Sequence, residues 1–155
     1  MKQSVLLLSL VVAVLFTSCS SKEVETKALR ASFKEIKVIT KAGTGSDGTR
    51  VEMVMHLDNR TEHTMQVGFV ETTVYSAVDG KALLRFRPIV PEAYGTMSLV
   101  QLLPKQAKDF PVVSAPNLSA FDLTQHPQVI VEMALTTSDG FRTKVRSAQV
   151  PVTKE

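Results

Sequence analysis

Three groups of residues in this 155-residue chain have the types and spacing to do chemistry. His56, Asp58, Glu62 and His63 crowd around one turn, and imidazole with carboxylate is a donor set that suits zinc. Their spacing matches no recognised ligand pattern, and His56 and Asp58 fall on the polar side of an alternating run, so a hydrated turn without metal is expected. Arg142, Lys144 and Arg146 alternate along one segment, as Arg85 and Arg87 do along another. Cations so placed share one face of a strand. That face could meet anionic head groups, each cation near a membrane surface contributing about 1 kcal/mol, or simply be a solvated outer face that discourages edge pairing. The third group is a single residue, Cys19, the only cysteine. His126 precedes Pro127 and has no evident partner. No G-x-S-x-G elbow, phosphate-binding loop or paired-carboxylate cleft is present, so neither an enzyme nor a cofactor is expected.

Cys19 gains meaning from what precedes it. Val5–Phe16 is an apolar run of twelve behind Lys2, too short to cross a bilayer as a stable helix, and it reads as a secretory signal. Thr17 and Ser18 then lead into the cysteine. Small residues before a cysteine resemble a bacterial lipobox, with Phe16 standing where Leu or Val is usual. That resemblance implies a diacylated thiol and cleavage just before it. The expected organisation is a signal peptide over 1–18, a lipidated cysteine and polar tether over 19–32, and one domain over 33–155. The expected partner is a membrane, reached through a palmitate-type anchor on Cys19. Ser20 after the lipidated cysteine favours the outer membrane of a cell envelope. The formal charge, 18 basic minus 15 acidic residues, is +3, a surplus too small for dedicated nucleic-acid binding.

The elements that must position these groups are strands. Val51, Met53, Met55 and Leu57 alternate with Arg50, Glu52, His56 and Asp58, and Val129, Val131, Met133 and Leu135 repeat the pattern, which marks strands with one buried face. Glu132 then falls on an outer face, where its truncation is expected to cost almost nothing. Asp79-Gly80 and Ser138-Asp139-Gly140 are tight-turn signals. Pro104 and Pro111 suit edges and turns, because proline cannot donate to a ladder. Leu118 and Phe121 are expected to pack inward from one or two helical turns over Asn117–Leu123. Pro88–Val100 carries Ile89, Val90, Tyr94, Met97 and Leu99, and is expected either to pack as a further strand or to offer apolar surface to a partner. In Phe141–Val152 the parity slips: Phe141 and Val145 share one face, Val150 and Val152 the other. Keeping both pairs inward demands a bulge or break within Arg146–Gln149, and Pro151, with no N–H to donate, is expected to put the segment after it on or near a sheet edge. Seven or so strands at short spacing predict an antiparallel β-sandwich.

From Val51 to Val152 the order of features resembles the LEA type 2 (LEA14-like, WHy-related) domain. The features are an Asn-centred turn at Leu57-Asp58-Asn59-Arg60, the Asp79-Gly80 turn, Leu103-Pro104-Lys105 leading to Phe110-Pro111-Val112-Val113, the Leu118–Leu123 stretch and the hairpin at Asp139-Gly140-Phe141. Asn59-Arg60 stands where the family commonly has Asn-Pro. The resemblance implies an immunoglobulin-like or fibronectin-III-like sandwich without catalytic residues. The expected function is a membrane-anchored, non-catalytic binding or envelope-support module whose partner is an envelope protein or a lipid. The alternative is a lipid-binding domain holding an acyl chain between its sheets, with Met53, Met55 and Met133 lining the cavity.

Overall fold

The computed structural model describes residues 23–41, 48–93 and 98–155. Within these, nine strands form: β1 (Val24–Glu25), β2 (Leu29–Lys41), β3 (Gly48–Asn59), β4 (Met65–Ser76), β5 (Ala82–Phe86), β6 (Leu99–Leu102), β7 (Ala107–Val113), β8 (Gln128–Thr137) and β9 (Arg142–Lys154). Among the described residues there is no helix. The strands run in the order β5-β4-β8-β9-β2-β3-β7, with β6 beside β5 on the outer edge of β4 and β1 beside β2. The sheet curls over on itself into an all-β sandwich. Its front half is β4, β5, β6, β8 and most of β9; its back half is β1, β2, β3 and β7.

One strand joins the halves. Residues Arg142–Pro151 of β9 pair antiparallel with β8, while Val152–Lys154 pair parallel with Val38–Thr40 of β2. This pairing departs from the purely antiparallel expectation, and the cause is that β9 outruns its hairpin partner β8. The bulge expected in β9 is present, but the segment after it is not at an edge, because β9 lies between β8 and β2 and Val152–Lys154 pair with β2. Ser147 and Ala148 together oppose Val131, so the register shifts by one and Val145, Val150 and Val152 all point inward. Ser147 Oγ accepts the Val131 N–H at 2.9 Å and donates to Ala148 O at 2.6 Å, replacing the ladder bond the bulge removes. Ser114 does the same at the end of β7, accepting the Val51 N–H at 3.0 Å.

Both alternating faces meet in the interior. Val51, Met53, Met55 and Leu57 are buried together with Val129, Val131, Met133 and Leu135, and with Val67, Phe69 and Val74 from β4. The methionines expected to line a lipid cavity are packed core, Met55 and Met133 being fully inaccessible. Pro111 sits in β7, the last strand of the path, in keeping with its missing donor. Gly80 and Gly140 adopt φ of 73° and 84°, the left-handed conformation their turns require.

Three expectations are corrected. The domain begins before Phe33: β1 and β2 take up Val24–Glu25 and residues from Leu29 onward, and Leu29 and Ala31 are core. Asn117–Leu123 is not helical. Leu118 instead exchanges backbone bonds with Thr49 at 2.7 and 3.1 Å, while its side chain and that of Phe121 pack against the core as expected. His126 does have a partner, its Nδ1 lying 3.0 Å from Ser76 Oγ, and its ring meets Phe121 edge-on.

Candidate functional site

The outer face of the front sheet is built from residues that the β4, β8 and β9 registers bring into rows. Leu99, Gly68, Thr136 and Arg142 form one row across β6, β4, β8 and β9. Glu71, Ala134 and Lys144 form the next, and Arg85, Thr73, Glu132 and Arg146 the one after. Gly68, Ala134 and Thr136 are small, so the middle of the face is low while long side chains rise around it. The result is an open groove of about 600 Å³ along Val70, Ala134, Thr136, Arg142 and Lys144. It continues into a second hollow of about 230 Å³ along Gly68, Val70, Arg87 and Leu99. Val70 stands between them. It is the extra residue of a bulge between Phe69 and Glu71, and that displacement leaves it 50% exposed. A Cβ on Gly68 would meet Thr136 Cγ2 at 3.0 Å and Leu99 Cδ2 at 3.1 Å, so only glycine keeps this floor low without moving its neighbours.

Charge is unevenly distributed over the molecule. Among the described residues the front face presents Arg85, Arg87, Arg142, Lys144 and Arg146 against Glu71 and Glu132. Glu132, 13% exposed, pairs with Lys144 at 2.9 Å and with Arg146 at 3.5 Å. Its hydrogen bond and its charge hold the Lys144 ammonium above the usual lysine range. Arg146 also lies over the Tyr75 ring, 5.3 Å from its centroid. Arg87 and Arg142 have no hydrogen-bonding or ionic side-chain partner among the described residues. On the back face, by contrast, Lys34 meets Asp109 at 2.6 Å, Lys37 meets Glu35 at 2.7 Å and Arg50 meets Glu52 at 2.9 Å.

The other candidates suggested by residue type and spacing disperse. His56 faces Asp109 at 2.6 Å, Asp58 pairs with Arg60, and Glu62 pairs with Lys105 at 2.9 Å, so these three turn residues serve separate partners. The Asp109 carboxyl lies below the usual carboxylate range because Lys34, and then His56, hydrogen-bond to it. Of the Pro88–Val100 residues, Val90 is buried, Ile89 is 45% exposed and exchanges backbone bonds with Val113, and Leu99 opens β6 at the groove rim. Part of that segment therefore is a further strand. Cys19, Tyr94 and Met97 lie outside the described residues. The groove floor escapes a reading of the sequence because nothing local aligns Gly68 with Thr136; only the β4–β8 register does.

No protein-family model matches the chain, and no curated protein matches it. Among solved structures, it is similar to the putative ApaA protein from Bordetella pertussis, at 12% identity over 81% of this chain and 93% of that one, with a TM-score of 0.43. It is similar also to a FixG-related protein from Vibrio parahaemolyticus, at 12% identity over 79% and 95%, with a TM-score of 0.41. A third likeness is to the apo PmoF2 PCuAC domain, at 12% identity over 87% and 95%, with a TM-score of 0.43. The sandwich assignment rests on the strand pairings described above.

Proposed function

We infer that the chain is a lipid-anchored envelope protein whose β-sandwich, of LEA type 2 kind, is a non-catalytic binding module working through the outer face of its front sheet. The observation that carries this reading is the groove itself: a floor of small residues, an exposed Val70 and two arginines without a side-chain partner among the described residues, on the face that holds most of the surplus charge. Exposed guanidinium groups without carboxylate partners are suited to anionic ligands, since each presents a fixed fork of donors. The anchor is supported by the sequence around Cys19, and Ser20 favours the outer membrane. A bound acyl chain between the sheets finds no support in the packed methionines.

Cys19→Ala is expected to abolish incorporation of labelled palmitate in cells and to leave an uncleaved precursor carrying residues 1–18. Mass spectrometry of the purified chain and autoradiography read both. A Cys19→Ala chain that still takes up label would remove the anchor from this account and leave the groove untouched.

A further inference from the structure

We propose that the front-face groove seats a lipid headgroup bearing two phosphate groups, one held by Arg87 and the other by Arg142 with Lys144. This deepens the binding-module reading above and rests on it. Arg87 stands just beyond β5, in the column that β5 and β6 share beside β4, and it lines the smaller hollow with Leu99. Arg142 and Lys144 stand on β9, on the far side of β8. Three inter-strand spacings separate the two columns, or about 14 Å. Between them the face is low, formed by Gly68, Ala134 and Thr136, and the one carboxylate of that stretch among the described residues, Glu71 beside Ala134, is paired to Arg85 at 3.5 Å.

A single phosphate would reach one column and leave the other unmatched. A headgroup with phosphates at both ends of a rigid, uncharged middle matches both and lies on the small-residue floor. Val70 and Leu99 give that middle an apolar contact, which a free inorganic anion could not use. Arginine suits both positions because its planar fork binds phosphate oxygens in pairs. Lys144 adds charge at the β9 end, although Glu132 shares it.

The test is titration calorimetry on the full chain, held in a zwitterionic detergent, with water-soluble probes. These are the deacylated glucosamine disaccharide bisphosphate, its monophosphate and inorganic phosphate. The bisphosphate should bind at one site, the monophosphate about tenfold more weakly or less well still, and inorganic phosphate weakest. Arg87→Glu with Arg142→Glu should remove binding of the bisphosphate. Lys37→Glu with Arg50→Glu makes the same change in net charge on the back face and should leave it intact. Ala134→Trp, which fills the floor without changing charge, should weaken it by about tenfold as well. Melting curves of each variant exclude unfolding as the cause. Equal binding of mono- and bisphosphate, equal loss in the two double variants, or no binding at all would overturn the proposal. None of these outcomes bears on lipidation at Cys19, so the two readings fail separately.

Discussion

Met133→Asp is expected to leave the domain without a cooperative unfolding transition at neutral pH. Met133 lies in the middle of β8, opposite Thr72 of β4 and Val145 of β9, and its side chain is fully inaccessible. Among the described residues no cation is buried in the core to meet an ionised carboxylate there, and protonating it instead still leaves an unpaired polar group. Either way the cost is several kcal/mol, against a typical domain stability of about 5–15 kcal/mol. Met133→Leu keeps the volume and should cost less than about 1.5 kcal/mol. Lys37→Ala, on the exposed back face, is the reference for a harmless change. Glu132→Ala, expected from sequence to be free, is not the right reference: its carboxylate is largely covered and holds Lys144 and Arg146. Far-UV circular dichroism and urea unfolding distinguish these cases. A Met133→Asp chain as stable as the Lys37→Ala chain would show that the β8 register is wrong.

Asn59→Ala should destabilise by about 2–4 kcal/mol, the largest effect expected of any polar truncation in the domain. Asn59 ends β3 and is fully buried. Its Nδ2 donates to His63 O at 2.8 Å and to Leu103 O at 2.9 Å, with Leu102 O at 3.4 Å. Its Oδ1 accepts from Thr61 N at 3.0 Å and Thr61 Oγ1 at 2.8 Å. One amide therefore ties the β3–β4 turn to the β6–β7 turn, and removing it takes the donor from the buried Leu102 carbonyl and from the partly covered His63 and Leu103 carbonyls. Asn59→Asp keeps the acceptor and loses both donors, setting an oxygen against those same carbonyls, so it should be at least as damaging. Urea midpoints at unchanged slope would read the loss. A fall below about 0.5 kcal/mol would mean that the two turns hold themselves together.

What is legible in the chain follows from local parity. The β3 and β8 faces can be read because alternation is a short-range signal and one face of each strand is buried. The β9 bulge is legible for the same reason, since Val145 and Val150 cannot both face inward along a regular strand. Asn59 is visible as the centre of a turn, though its reach across to Leu103 is not. Leu29 and Ala31 are hidden among polar and charged neighbours, where two apolar side chains do not register as a core face. The Leu118–Leu123 stretch has helical spacing, but tertiary pairing with Thr49 satisfies its backbone without a helix. In the candidate site, the cations Arg85, Arg87, Arg142, Lys144 and Arg146 are legible from their alternation. That Glu132 takes up two of them, and that Gly68, Ala134 and Thr136 make a floor between the rest, depends on register between strands far apart in the chain. Such contacts leave no trace in local pattern.

The measurement that bears most directly on the central claim is photocrosslinking in intact cells, with a benzophenone side chain introduced at Val70. Val78, 69% exposed in the β4–β5 turn, is the reference position. If the outer face of the front sheet is the binding surface, Val70 yields a discrete adduct that disappears in the Arg87→Glu, Arg142→Glu chain, and Val78 yields none. Equal adducts at both positions, or an adduct at Val70 that survives the charge reversal, would contradict it.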